Sequence, residues 1–460
     1  MSKLSDIRIK SVALYFLPIT TRVPLKFGAE VTTSVTLARV RIAVENANGK
    51  RAAGWGETPL SVHWVWPSAL SCEERHAALK DFTTRLAKEW RAFSGSGHSF
   101  DIGYRFIDAV LPRALEQFNR TARLHKEAMP WLAALVCCSA FDLALHDAFG
   151  LVNERPVFEC FGRDLLSYDL HKYLGAKFAG LYPSDFLVKR EDRLPAWHLV
   201  GGKDAVKREE LDGNEPNDGY PVLLEDWIRR DGLKCLKVKL RGNDAAWDYA
   251  RLIDVGRIAI ANDVWWLTTD FNCTVQEPAY VNEILDRLVR EEPRIYGMIL
   301  YVEQPFPYEL KEHSIEVHSV SARKPLFMDE SAHDWKMVQI GRGLGWTGVA
   351  LKTCKTLTGA LLSLCWAKEH GMTLMVQDLT NPMLAQIPHV LLAAHAGTIM
   401  GVETNAMQFY PEASKFEAQF HPGIYERRNG QLDLSSLQGA GFGYNPEILS
   451  RTLPEPVFAA

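Results

Sequence analysis

The chain has 460 residues and a mass of 51.8 kDa, enough for two or three domains of about 100 to 200 residues, so a marginal mini-domain is excluded. Hydrophobic residues make up 47% and charged residues 23%, with no biased tract, which excludes a disordered or fibrous chain. The 52 basic and 56 acidic side chains leave a net charge of −4, no field to hold nucleic acid or an anionic membrane, and the expected partner is a small molecule.

The eight cysteines form no CxxC pair, and Cys137 and Cys138 are adjacent in an apolar, helix-like run, so they read as reduced core residues. The opening MSKLSDIRIKSVALYF scatters charge and has no apolar run followed by a cleavage site. The longest apolar stretches, such as 131–140 and 390–402, fall short of the roughly 20 residues a bilayer span needs. A cytoplasmic protein is expected.

From residue 9 to 59 the pattern alternates, and Asn48-Gly49, a type I′ turn signal, separates two strand-like runs, which predicts an antiparallel hairpin. From about residue 72 to 150 the periodicity becomes helical. It ends in PWLAALVCCSAFDLALHDAFG, where Pro130 suits a first helical turn and Gly150 a C-cap. Residues 1–160 therefore read as an α+β capping domain. Residues 201–232 are rich in charge, Gly and Pro and include DGNEPNDGYP, the composition of a solvated excursion. From Leu194 onward eight short β-rich runs recur, the later ones starting at Cys235, Trp265, Met298, Pro325, Gly348, Thr373 and Thr398, each separation the length of one strand plus one helix. Eight such α/β units close into a (β/α)8 TIM-like barrel, although an open doubly wound sheet would show the same alternation. The barrel is expected over residues 161–415, with the charged insertion near 201–232, and residues 416–460 are expected to pack back on the capping domain.

Polar residues collect at the ends of these runs, where barrel enzymes place their working groups. Lys237 and Lys239 close the second run, Asp270 and Asn272 the third, Glu303 the fourth, Asp329 the fifth and Lys352 the sixth. Three carboxylates converging on one point repel unless they are protonated or neutralised by a cation. Oxygen donors without nearby His or Cys indicate a hard divalent ion, Mg2+ with Mn2+ as a substitute. Taken alone, Asp329 reads as a helix N-cap or ion-pair partner, and a single strand-end lysine as a surface residue whose ammonium snorkels to water. Lys237 and Lys239 are two apart and project from one face of a strand. A neighbouring cation, a metal and burial would all push a lysine below its usual pKa of about 10.4, toward a base working near neutral pH. Lys352, four strands further round, would face the same pocket from the other side.

With these residues in view the chain resembles the enolase superfamily, and within it the muconate-lactonizing-enzyme-like subgroup of the mandelate racemase/muconate lactonizing enzyme family. GWGETPL (54–60) is similar to the family's capping-domain GxGE segment, FDLALHDAFG (141–150) to its alanine-rich helix before the barrel, and LKVKLRG to its KxK strand. TTDFN, VEQP and MDES are similar to its three metal-ligand strands, and VALKTCK to the strand of the second catalytic lysine. The resemblance implies that Asp270, Glu303 and Asp329 hold Mg2+, that Lys239 and Lys352 are the acid/base pair, and that Lys237 tunes Lys239 and contacts the substrate carboxylate. It implies Mg2+-dependent abstraction of the proton α to a carboxylate through an enediolate, ending in racemisation or epimerisation, with cycloisomerisation or syn-dehydration as alternatives.

The capping loops 18–28 and 58–67 would set specificity, the first through Arg22 and Lys26, which suit a second anionic or polyhydroxy group, the second through His63, Trp64 and Trp66, with Asn272 and Glu403 contributing from the barrel. Here the family's paired glycine after the second lysine is a single Gly359, no His stands at the seventh strand end, and GVETN lacks the DxD of dipeptide epimerases. GLGWTG (343–348) precedes a strand, so it reads as a loop and not a dinucleotide site. His389 and His395, six apart, do not share a helix face as zinc ligands would. A Schiff-base lysine aldolase and a metal-binding barrel without turnover are the readings from other classes. A homo-oligomer acting on a small carboxylate, with no nucleic acid or membrane partner, is the overall expectation.

Overall fold

The computed structural model describes residues 3–27 and 30–460. Gly28, the last residue of the first expected specificity loop, lies outside the described residues. Strands β1 (Ile7–Phe27), β2 (Glu30–Asn46) and β3 (Arg51–Pro59) form an antiparallel meander, and β13 (Phe458–Ala459) pairs with β1. Alternate residues of one face, Val12 and Leu14 on β1 and Val40, Ile42 and Val44 on β2, are buried against the helices. The expected type I′ turn between β2 and β3 is not formed. Only Gly49 takes a positive φ (78°), and the Asn46 carboxamide oxygen accepts from the Asn48 and Lys50 N–H groups, closing a longer loop. Between β1 and β2 the register slips, with Thr20 opposite Ser34 but Leu25 opposite Thr32, so residues 21–24 bulge from the sheet.

Helices Cys72–Ala92 and Trp131–Val152 pack on this sheet. Trp131–Val152 is apolar on all sides because it is clamped between sheet and barrel. It is long and apolar enough to cross a membrane, contrary to the shorter apolar stretch read from the sequence, yet 94% of its most apolar window is buried inside the protein. Pro130 is its N-cap instead of lying in its first turn, and the helix runs through Gly150 to Val152. Gly150 is needed for close approach, since a Cβ there would lie 2.9 Å from the Cα of Gly441. Gly54 and Gly56 have the same kind of role on β3: a Cβ at Gly56 would lie 2.2 Å from the carbonyl oxygen of Ala140. The strand therefore rests directly on the alanine-rich helix.

Two buried carboxylates of this helix fasten other segments. Asp142 accepts from the N–H and hydroxyl of Thr358, and Asp147 accepts from the N–H groups of Trp55 and Phe442 and the hydroxyl of Tyr444. A buried ion chain from Glu57 through Arg39 and Glu417 to Arg451 ties the capping sheet to the C-terminal segment.

The barrel strands are β4 (Arg193–Val200), β5 (Cys235–Lys239), β6 (Trp266–Asp270), β7 (Ile299–Glu303), β8 (Leu326–Met328), β9 (Gly348–Leu351), β10 (Thr373–Val376) and β11 (Val402–Glu403). Strands β4 to β10 pair in parallel in chain order, and β11 pairs in parallel with β4. The N–H of Ile399 donates to the carbonyl of Leu374 beside the remaining seam. Trp197, Cys235, Tyr301, Phe327 and Met375 fill the interior. The short β12 (Gln431–Asp433) adds antiparallel to β4. The insertion is shorter than the composition suggested: residues 201–223 are irregular apart from one turn at Arg208–Glu210, whereas Leu224–Asp231 is a regular barrel helix ended by Gly232 at φ 65°.

Gly56→Ala is expected to lower stability by about 1 to 3 kcal/mol through overpacking, read as a lower urea midpoint at unchanged m-value. Burial pushes the Asp142 carboxyl up to about 6, so its contribution to stability is present below the unfolded value near 3.8 and lost as pH rises to about 6. Wild type should therefore lose about 2 to 3 kcal/mol relative to Asp142→Asn between pH 4 and 6.5 in denaturant titrations.

Candidate active site

The parallel register sets Lys239 beside Asp270 and Asp270 beside Glu303, so consecutive strand ends deliver their polar side chains at one level of the barrel. The Lys237 ammonium donates to Glu303 at 2.6 Å and Glu403 at 3.0 Å and lies 3.0 Å from Asp270. Lys239 donates to the same Asp270 oxygen at 2.5 Å. Across the mouth, Lys352 is 3.1 Å from Asp329 and donates to the carbonyl of Asp378 at 3.0 Å. Lys355 donates to the backbone and side chain of Asp329, and the Trp64 ring lies over Lys352 and Lys355 at 5.0 and 5.7 Å. All four ammoniums are buried.

Burial alone would lower both Lys237 and Lys352, but the carboxylates around them outweigh it and hold both above the ordinary lysine value. The depression expected from a cationic neighbour is not seen at Lys237, where the charges of Glu303, Glu403 and Asp270 outweigh burial, whereas burial lowers Lys355, which stands near Lys352. Burial would raise Asp270 and Asp329, yet Lys239 and Lys237 hold the first, and Lys352, Lys355 and Lys237 the second, below the usual carboxylate range. Glu303 is pushed well above it by burial and by the charge of Asp270. Glu330, next to Asp329, is pushed up to about 7 by burial and by Asp329 and Asp270.

In kind, this donor set fits a hard divalent ion: oxygens from three consecutive strands, with Glu303 still seeking positive charge. As the side chains stand, no three acidic, His or Cys groups among the described residues are gathered closely enough to hold an ion. Holding one requires the ammoniums to release the oxygens they occupy. Asp270, Glu303 and Asp329 are the residues that would hold it.

The structure brings Lys237, Lys239, Lys352, Asp270, Glu303, Asp329, Trp64 and Glu403 together. Asn272, at φ 49°, turns back so that its N–H donates to Asp270 at 2.9 Å, and with Lys26 it lines a cavity opening on Lys239. Arg22 and His63 are elsewhere. Arg22 is bound to Asp218 and to the carbonyls of Tyr220 and Pro221, because the bulge that carries it leans on the insertion. His63 is held by Glu30 and Thr32 within the capping domain. Trp66 is a core residue whose indole N–H donates to Glu127.

Sequence reasoning missed Gln377, Asp378, Lys355 and Asn405. Gln377 donates to Glu303 at 2.6 Å, and Asn405 donates to Glu403 and Asp378. Gln377 and Asp378 stand at the end of β10 in TLMVQDLT, so the rule that strand ends carry the chemistry could have found them.

The model for the enolase C-terminal domain-like family matches residues 221–448, the stretch holding β5 to β11 and every barrel residue of this site. Residues 221–448 thus belong to the enolase C-terminal domain-like family. The matching model is that of the mandelate racemase/muconate lactonizing enzyme branch. Among enolase-superfamily folds, N-succinyl Arg/Lys racemase from Bacillus cereus is 16% identical with a TM-score of 0.62, covering 98% of this chain and 99% of its own. A member from Roseovarius nubinhibens complexed with magnesium is 18% identical (TM-score 0.62; 99% of both chains). The dipeptide epimerase from Cytophaga hutchinsonii, complexed with Mg and D-Ala-L-Val, is 17% identical (0.61; 96% and 97%). At these identities the likeness is one of fold. No curated protein sequence matches.

Asp329→Ala should destabilise the protein by about 3 to 5 kcal/mol, since it strands the buried ammoniums of Lys352 and Lys355. Adding Lys355→Met should restore part of the loss in the same denaturant titration, and additivity of the two changes would contradict the pairing.

Proposed function

We propose that the protein removes the proton α to a substrate carboxylate and returns it, a racemisation or epimerisation, with Lys239 and Lys352 as acid and base on opposite faces of the α-carbon. The observation that carries this reading is the placement of two buried ammoniums at the ends of β5 and β9, flanking the row Asp270, Glu303, Asp329. A base on each side can return the proton to either face, which favours racemisation over ring closure or elimination. Mg2+ held by the three carboxylates would supply positive charge where negative charge builds on the substrate carboxylate as an enediolate. Lys237, kept charged by Glu303 and Glu403, is suited to bind that carboxylate and to oppose protonation of Lys239. Lys239 and Lys352 each lean on a carboxylate and must leave it before taking a proton. One exchange of partners therefore frees both bases.

The cavity opening on Lys239 is about 450 Å3 and is lined by Lys26, Arg241, Asn243, Asn272, Thr274 and Trp247 among others, with no carboxylate among the described residues of its wall. A second anionic group on the substrate suits that lining. On the far side Trp64 closes over Lys352 as an apolar wall.

In D2O with Mg2+, a panel of N-acyl amino acids and other carboxylic acids should include members that take up α-deuterium. Lys239→Ala and Lys352→Ala should each slow the uptake by roughly 10²- to 10⁴-fold, and chelation should abolish it. Uptake that survives either substitution unchanged would remove the two-base assignment.

A further inference from the structure

The insertion between β4 and β5 encloses a second cavity, of about 380 Å3, that the proposed reaction does not use. It lies outside the barrel wall. Trp197 points into the barrel with Tyr301 and Met375, so the next residue of β4, His198, points outward, its ring 5.4 Å from that of Trp227 on the helix Leu224–Asp231. Val200, Leu211, Leu224, Trp227 and Phe409 make most of the lining apolar, and the β1 bulge with Arg22 borders it.

The hydrogen-bond pattern fixes what His198 offers. The Gln408 carboxamide is oriented by both backbone groups of Leu199: its oxygen accepts from the N–H at 3.2 Å and its amide donates to the carbonyl at 2.9 Å. The same amide lies 3.3 Å from His198 Nε2, so Nε2 accepts and the imidazole proton sits on Nδ1. His198 is 1% exposed, and its Nδ1 has no hydrogen-bond partner among the described residues. A buried N–H without an acceptor is a standing demand for one. Burial and the nearby Arg427 keep the imidazole uncharged, so it acts only as a neutral donor.

Charge narrows the ligand further. Glu210, Asp212 and Glu215 line the cavity against Lys203, while Arg22 is already neutralised by Asp218. The excess is negative and repels anions, the opposite of the cavity beside Lys239. We propose that this cavity binds a small, largely apolar molecule bearing one uncharged hydrogen-bond acceptor, which takes the His198 Nδ1–H.

The full-length protein would be titrated with benzamide, toluene and benzoate by ligand-observed NMR. Benzamide should bind about tenfold more tightly than toluene, which lacks the acceptor, and than benzoate, which carries the charge. Leu211→Trp, which fills the cavity from the insertion side, should abolish benzamide binding. His198→Phe should bring benzamide down to the level of toluene. The α-deuterium uptake of the proposed reaction should stay within twofold in Leu211→Trp. Absent benzamide binding, binding untouched by Leu211→Trp, or toluene equal to benzamide in wild type would each overturn the proposal. Uptake lost together with binding would overturn its independence from the barrel mouth.

Discussion

The structure turns on balancing buried charge at one end of a barrel. Lys237, Lys239, Lys352 and Lys355 lie among Asp270, Glu303, Asp329 and Glu403, all out of water, and no isolated ion of either sign would be tolerated there. The parallel register makes the convergence obligatory, because neighbouring strands end at the same height and their last inward side chains must meet. Each of the four ammoniums then pairs with at least one of these carboxylates. The carboxylates are not equivalent within this set: Asp270 and Asp329 are each shared by two lysines, whereas Glu303 has one ammonium and the neutral amide of Gln377. Glu403 likewise has only Lys237 and the neutral amide of Asn405, so added positive charge is most favourable at these two glutamates, and above all at Glu303, whose carboxyl is pushed up by burial and the charge of Asp270.

Much of this was legible in the sequence, since period and position carry the information. The spacing of β-rich runs located all eight barrel strands, with the last starting four residues later than expected, at Val402. Strand-end polarity located the lysines and carboxylates. What failed was whatever depended on side-chain partners far along the chain. Arg22 looked like a substrate ligand because it lies in a segment similar to the family's specificity loop and a guanidinium suits an anionic group, but Asp218, 196 residues away, claims it. His63 beside Trp64 looked equally available, and Glu30 holds it. The β2–β3 turn failed locally: Asn-Gly favours a two-residue turn, and the preceding Asn46 side chain offered the backbone a better closure. Composition also blurred the insertion, since a charged amphipathic helix and a charged loop have similar residue content.

The insertion and the β1 bulge are one device in physical terms. The bulge lifts residues 21–24 out of the sheet, and the insertion offers Asp218 and two carbonyls to the guanidinium so exposed. Together they seal both Arg22 and the outer face of β4, and Lys26 then stands over Gly202, at the edge of the cavity that opens on Lys239.

The two lysines proposed as bases are held by different parts of the molecule. Lys237 and Lys239 are members of β5, and their positions follow from barrel geometry alone. Lys352 is the first residue beyond β9, and the segment after it is gripped by the capping domain: Ser139 donates to the carbonyl of Thr353, and Asp142 and His146 bind Thr358. Thr356, at φ 72°, takes a backbone conformation unfavourable for a β-branched residue, and those contacts hold it there. Trp64, also from the capping domain, covers the ammonium itself. The capping domain is thus part of the support of one base and independent of the other. Changes at its interface with the barrel would act on Lys352 before they reached Lys239, which makes one face of the substrate mechanically dependent on a domain that supplies none of the carboxylates.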